Sequence, residues 1–161
     1  MARRLSPVGL EFIDTAPVRM VFARQLSAPP AAVYRALAED VTGWTAWFKA
    51  VTVCRPTDGG AGREVKLVGG GHFRETILAT DPDERYAYRV DTANAPGLRA
   101  LAEEWLLTPS GTGTRLQWSF AADGSAVLRA LLKVARPGLG RSFQDAARRL
   151  DQRIAANSAQ S

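Results

Sequence analysis

Two glutamates are the first candidates for chemistry, because each alternates with large apolar residues along a predicted β-strand. Glu75 lies midway between Phe73 and Ile77, so the three side chains share one face of a strand. Glu103 precedes Trp105 by two positions and shares its face in the same way. A carboxyl group in apolar surroundings has its charged form disfavoured and can act as a general acid or base. The pattern therefore predicts two carboxyl groups that face one apolar concavity.

Aromatic residues predict the rest of this concavity, and Tyr88 is the third catalytic candidate because its phenol would orient a substrate. The predicted cavity residues are Trp44, Phe73, Glu75, Tyr86, Tyr88, Glu103, Trp105, Trp118, Phe120 and Phe143. Trp44, Trp47 and Phe48 form a dense cluster that either lines a pocket or closes one end of a sheet. The glutamates also have a structural interpretation, in which an arginine or the backbone satisfies each of them. Both interpretations stay open at this stage.

The counts of cysteine and histidine exclude several kinds of site. Cys54 is the only cysteine, so an internal disulfide and a cysteine metal cluster are both impossible. His72 is the only histidine, which removes most zinc sites and every mechanism that needs a histidine pair. We expect His72 at a strand edge and Cys54 as a small, partly buried apolar residue. We therefore expect no metal and no cofactor.

The net charge of +5 lies entirely at the carboxyl end of the chain. Residues 1–124 contain equal numbers of basic and acidic residues, whereas residues 125–161 contain seven basic and two acidic ones. Arg141, Arg148 and Arg149 would form a docking site for an anionic group or an acidic carrier protein. The alternative is a solvated helix face. These arginines belong to no recognised nucleic-acid-binding motif, so we expect no nucleic-acid binding.

The order of predicted elements is one strand, two short helices, six antiparallel strands and a long amphipathic helix. Alternation at Val18–Leu26 predicts the first strand, and turns rich in glycine, proline and aspartate separate the later strands. The terminal helix should break or kink at Pro137 and Gly138. These elements predict an α+β fold in which a strongly curved seven-stranded antiparallel sheet wraps around the terminal helix.

We expect one domain over residues 18–156, preceded by an N-terminal arm (1–17) and followed by a frayed tail (157–161). No apolar run is long enough for a transmembrane helix, and no apolar stretch follows the basic N-terminus. A cytoplasmic location is therefore expected. The oligomeric state cannot be read from the pattern.

Four local segments resemble bacterial polyketide cyclase/dehydrase or SRPBCC proteins of the START and birch-allergen-like helix-grip superfamily. They are Ala28–Tyr34, Trp44–Val51, Phe73–Ile77 continuing through Asp81 and Pro82 to Arg85–Tyr88, and Gly113–Trp118. The resemblance spans nearly the whole chain. It implies a helix-grip fold with an apolar cavity that binds lipids, polyketides or other hydrophobic molecules.

Three functions are compatible with these observations. The first is binding or transport of a hydrophobic small molecule, for which we expect a cavity of roughly 300 Å³ or more. The second is a polyketide aromatase/cyclase or dehydratase that uses Glu75, Glu103 and Tyr88. The third is a regulatory or interaction module with a filled cavity, acting through its basic helix. Whether the protein is an enzyme stays open.

Overall fold

The alternating segments form a single antiparallel sheet in the computed structural model, which describes residues 1–160. Within these residues the sheet has eight strands, in the order β2-β8-β7-β6-β5-β4-β3, with β1 paired separately to β6. The strands are β1 (Arg3–Arg4), β2 (Val18–Leu26), β3 (Val51–Thr57), β4 (Gly62–Leu67), β5 (His72–Asp81), β6 (Arg85–Ala93), β7 (Leu98–Ser110) and β8 (Gly113–Gly124).

The two short helices after the first predicted strand and the long terminal helix follow the predicted order, and a further short helix lies within residues 1–17. Pro30 occupies the first turn of its helix, where a missing N–H has no cost. The α-helices are α1 (Phe12–Thr15), α2 (Pro30–Tyr34), α3 (Trp44–Trp47) and α4 (Ala126–Ala159), joined by a π-helical turn (Arg35–Glu39) and 3-10 turns (Val41–Gly43 and Asp58–Gly60). The predicted α+β fold, with a seven-stranded sheet and a long terminal helix, is confirmed, and β1 adds an eighth short strand.

Helix α1 packs on the face of the sheet that is turned away from α4. Its Ile13 packs against Ala87 and Ala102. Ala87 is therefore buried, although its alternation with Tyr88 predicts an outward position facing water. Alternation assigns a residue to a face of the sheet but does not show which face another segment covers.

Helix α4 begins at an N-cap, where the Ser125 hydroxyl accepts a hydrogen bond from the Leu128 N–H at 3.1 Å. The helix does not break at Pro137, which lies inside it. The proline removes one backbone donor in an exposed stretch, where water can satisfy the freed carbonyl. The helix continues to Ala159, and Ser161, the end of the predicted frayed tail, lies outside the described residues.

The two halves of α4 differ in burial. The second half buries Phe143, Ala146, Ala147 and Leu150 in the main core. The Asp151 carboxylate accepts hydrogen bonds from the backbone N–H groups of Ser27 and Ala28, at 2.8 and 2.9 Å. These bonds hold the helix to the turn after β2. The first half is mostly exposed and covers the sheet without filling the space beneath it. No helix within residues 1–160 is both long and apolar enough to cross a membrane.

Candidate functional site

A cavity of ≈ 240 Å³ lies between the sheet and the first half of α4. Its wall is mainly apolar, and its polar side chains are few. The apolar wall includes Val65, Leu67, Leu98, Leu101, Leu128, Leu132 and Leu139, together with the aromatic residues described below. The charged groups in the wall are Arg63, Glu75 and Glu103. A mainly apolar pocket with a few polar groups is the usual form of a small-molecule site.

Seven of the ten predicted cavity residues line this cavity. They are Trp44, Phe73, Glu75, Tyr88, Glu103, Trp118 and Phe120. Both predicted carboxyl groups thus reach one apolar space, each less than a tenth exposed. This placement does not by itself assign them a role.

Tyr86, Trp105 and Phe143 do not line this cavity. Trp105 is wholly buried and stacks on Trp118 with 5.5 Å between ring centroids. Phe143 is also wholly buried, 6.0 Å from Trp105. The rings of Trp105 and Phe143 lie on the same face of the sheet as the cavity, but they fill the other end of that face. Tyr86 lines a separate pocket near Thr80.

The cluster of Trp44, Trp47 and Phe48 combines both proposed roles. Trp47 is buried between Trp44 and Trp105, at ring distances of 4.7 and 6.2 Å, and closes the filled end of the sheet. Trp44 and Phe48 belong to this packing and also line the cavity. The boundary between core and cavity therefore runs through the cluster.

A buried ion pair joins two neighbouring strands at the cavity wall. Arg63 on β4 and Glu75 on β5 are directly opposite each other in the strand register, and Nε of Arg63 donates a hydrogen bond to the Glu75 carboxylate. The guanidinium carbon lies 4.3 Å from the Trp44 ring centroid and 4.0 Å from that of Tyr88. These distances are within the range of cation–π contacts.

The two charges of this pair stabilise each other against burial. Burial alone would lower the pKa of Arg63, but the Glu75 carboxylate raises it well above its usual value. Burial raises the pKa of Glu75, and the opposing attraction of Arg63 limits that rise. Because the arginine stays charged, the paired form is the ionised one. Glu75 thus follows the structural interpretation, in which an arginine satisfies it.

Arg63 is the site residue that sequence reasoning missed. It precedes Val65 by two positions, so alternation places it on the same inner face as Val65 and Leu67. The signal was present, but an arginine at the start of a strand ordinarily reaches solvent. Only the neighbouring strand, with Glu75 opposite, shows why this one is buried.

Glu103 on β7 belongs to a separate hydrogen-bonded group. Its Oε1 accepts a hydrogen bond from Trp118 Nε1 at 2.8 Å and another from the Tyr88 hydroxyl at 3.2 Å. Trp105 Nε1 in turn donates to the Tyr88 oxygen at 3.2 Å. Burial, with a smaller contribution from the Glu75 charge, raises the pKa of Glu103 to about 7. Glu103 can therefore gain or lose a proton near neutral pH.

His72 and Cys54 lie outside this arrangement. His72 begins β5, with its Nε2 at 2.8 Å from the Glu64 carboxylate. Cys54 is buried, and burial raises the pKa of its thiol to about 11, which disfavours the reactive thiolate. Within residues 1–160 no cluster of potential ligands could hold a metal ion.

The predicted docking arginines lie on α4, away from the cavity wall. Arg148 and Arg149 both pair with Asp145, at 2.6 and 3.0 Å, so part of their charge is neutralised within the helix. Arg141 is exposed. Docking of an acidic carrier protein at these three residues stays a prediction.

A model of the family described as polyketide cyclase/dehydrase and lipid transport matches residues 17–155. The chain belongs to this family. An uncharacterised protein of Mycobacterium tuberculosis is 29% identical over 158 residues, covering 92% of this chain and 94% of that protein.

Solved structures show the same fold at low sequence identity. A START superfamily protein from Mycobacterium smegmatis is 10% identical, covers 86% of this chain and 97% of its own, and superposes with a TM-score of 0.66. The protein XoxI from Bacillus cereus is 15% identical, with 86% and 96% coverage and a TM-score of 0.69. The helix-grip fold that the sequence segments imply is confirmed.

Removing the cation of the buried pair should destabilise the protein strongly. Arg63→Met should lower the free energy of unfolding by about 3–5 kcal/mol, because the Glu75 carboxylate is left buried and unpaired. The double variant Arg63→Met/Glu75→Leu should regain most of this loss, because no unpaired charge remains. Urea unfolding at neutral pH, followed by tryptophan fluorescence, measures both changes.

The control for this experiment is Arg55→Met. The Arg55 side chain is 62% exposed and pairs with Glu64, which keeps His72 as a partner. We expect a change of at most about 1 kcal/mol for this variant. An equally small change for Arg63→Met would contradict the importance of the buried pair.

Glu103 should make stability depend on pH. Its pKa is higher in the folded protein than in the unfolded chain, so its contribution favours folding at low pH and is lost as pH rises from about 4.5 to about 7. In Glu103→Gln the side chain at this position is neutral at every pH. Relative to the wild type, its free energy of unfolding should therefore rise by about 2 to 3 kcal/mol between about pH 5 and about pH 8.

Urea unfolding across this pH range tests the expectation for Glu103. The exposed Glu84→Gln serves as the control, because it removes one carboxyl group without changing the cavity. A stability difference between Glu103→Gln and the wild type that does not vary with pH would show that Glu103 is not held in its acid form.

Proposed function

We propose that the protein binds a hydrophobic small molecule in the cavity between the sheet and α4. The observation that carries this proposal is the mainly apolar cavity itself, which the first half of α4 covers but does not fill. Such a space in a folded protein leaves apolar walls without packing partners, and an apolar ligand would supply them. Membership in a family that includes cyclases and lipid transporters supports the same conclusion.

The cavity volume limits the size of this molecule. An apolar cavity of about 150 Å³ is enough to hold benzene. The volume of ≈ 240 Å³ is smaller than the size expected from the sequence and suits a fused two-ring compound or a chain of similar bulk. We therefore propose a ligand smaller than a long polyketide or a membrane phospholipid.

Filling the cavity should prevent binding. Leu132→Trp places an indole in the cavity wall and should weaken binding of ethylnaphthalene, an apolar two-ring probe, by at least about tenfold. Leu131→Trp is the matched control, because the neighbouring Leu131 is 60% exposed. Equilibrium dialysis measures the affinity, and circular dichroism verifies that both variants fold.

The outcome of this experiment decides the proposal directly. Binding by the wild type and Leu131→Trp but not by Leu132→Trp supports it. Equal binding by all three proteins would place the probe elsewhere, and no binding by the wild type would contradict the proposal. Native mass spectrometry of the protein isolated from cells adds the mass of any molecule that copurifies.

A second candidate function is acid–base catalysis on a bound carbonyl compound, and Glu103 favours it. Of the three predicted catalytic residues, Glu75 is paired with Arg63, and the pKa of Tyr88 is raised well above its usual value by burial. Glu103 has no cationic partner, and burial raises its pKa to about 7, so it can exchange a proton near neutral pH. Its carboxylate would remove a proton from the carbon beside a carbonyl group and then return it.

Exchange of deuterium tests this second function. In D₂O the wild type should speed deuterium incorporation into the methyl group of acetylnaphthalene, increasingly so as pH rises through about 7. Glu103→Gln should reduce the rate to that of buffer. Glu104→Gln, on the opposite face of β7, should match the wild type. A wild-type rate equal to that of buffer would reject catalysis and leave the binding function untouched.

A further inference from the structure

One nitrogen of the Arg63 guanidinium donates no hydrogen bond to any described residue. The side chain is 2% exposed, and its Nη1 is buried without a hydrogen-bond partner among residues 1–160. Glu75 accepts from Nε, while Trp44 and Tyr88 contact the faces of the group. A buried charged donor without an acceptor is costly, so an acceptor that completes the group would bind favourably.

The ring contacts do not satisfy this nitrogen. A cation–π contact stabilises the charge through the faces of the guanidinium, whereas its N–H groups point outward in its plane. The nearby Tyr86 interacts with the guanidinium electrostatically and through a side-chain hydrogen bond, but Nη1 itself is left without a hydrogen-bond partner among residues 1–160. The position therefore calls for an acceptor from outside the chain.

Arg63 lines two pockets, and its contacts favour the apolar cavity as the one in which a ligand meets it. Trp44, Glu75 and Tyr88, which hold the guanidinium, all line that cavity. None of these three residues lines the second pocket, beside Thr80, which includes Tyr86 instead. A ligand in the apolar cavity therefore meets the arginine together with the residues that fix its orientation.

We propose that Arg63 selects ligands that carry a neutral carbonyl oxygen, which accepts a hydrogen bond from Nη1. The inference rests on the proposed binding function and adds the chemical class of the ligand: an apolar body with one uncharged carbonyl group. A carbonyl oxygen has two lone pairs and needs no proton of its own, so it fits a site that offers only donors.

The charges around the cavity disfavour a carboxylate ligand at the same place. The Arg63 charge is already balanced by Glu75, which lies opposite it. Glu103 adds no positive charge in either of its protonation states. A carboxylate would therefore bring an additional buried negative charge without a cation of its own, and that is costly. A neutral carbonyl group gains the hydrogen bond without this cost.

Three probes of matched shape test the inference. Ethylnaphthalene has no acceptor, acetylnaphthalene has a neutral carbonyl group, and naphthoate carries a carboxylate. We expect the wild type to bind acetylnaphthalene at least about tenfold more tightly than either of the others, because the hydrogen bond to a charged donor adds affinity. Equilibrium dialysis at neutral pH gives the three dissociation constants.

A variant separates the role of Arg63 from the shape of the cavity. Arg63→Met/Glu75→Leu removes the donor and its partner together, so that no unpaired charge remains. It should lose the preference for acetylnaphthalene, so that its dissociation constants for acetylnaphthalene and ethylnaphthalene agree within about threefold. If this variant does not fold, the comparison of the three probes on the wild type alone still decides the matter.

The results distinguish the inference from the function on which it rests. Equal affinity of the wild type for acetylnaphthalene and ethylnaphthalene would overturn the carbonyl site while supporting apolar binding. Tighter binding of naphthoate would overturn it in favour of an anion site. Binding of none of the probes would contradict the proposed function and the inference with it. A preference that persists in the double variant would show that another group holds the oxygen.

Discussion

The buried ion pair between Arg63 and Glu75 is the interaction on which the site depends. A guanidinium inside an apolar core is tolerated only with a partner of opposite charge, and the register of β4 and β5 supplies that partner directly opposite. The flat group then provides a surface against which Trp44 and Tyr88 pack. The pair thus links two strands, α3 and β6 at one point, and it makes this part of the cavity wall polar while the rest stays apolar.

The cavity exists because only the second half of α4 packs its side chains into the concave face of the sheet. Trp105 and Phe143 fill one end under the second half of α4, where the helix is held by Asp151 and buries its apolar side chains. Under the first half, Leu128 and Leu132 line the space without filling it. The same curved sheet therefore encloses a tightly packed core at one end and an unfilled volume at the other.

Alternation along single strands predicted the face of each site residue but not its depth or its partner. Glu75 and Glu103 lie on the inner face as expected, because the irregularities in the pairing of β5 with β6 involve Asp91 and Leu78 and leave the alternation of 73, 75 and 77 intact. The filled position of Trp105 depends on α3 and α4, and the burial of Arg63 depends on Glu75 across the sheet. Such contacts between distant segments do not change the alternation of apolar and polar residues in either segment, so a single segment cannot predict them.

The protonation of Glu103 and the proposed choice of a neutral ligand follow from one electrostatic condition. Glu75 has the charge that Arg63 requires, and the same charge disfavours ionisation of Glu103. With Glu103 in its acid form, the charges of the cavity wall sum to zero. A wall without net charge has the lowest free-energy cost in apolar surroundings, where charged groups are poorly solvated. A ligand without net charge preserves that state. Replacing Glu75 would therefore alter both properties together, because the arginine would lose its counter-charge and Glu103 would lose its repulsive neighbour.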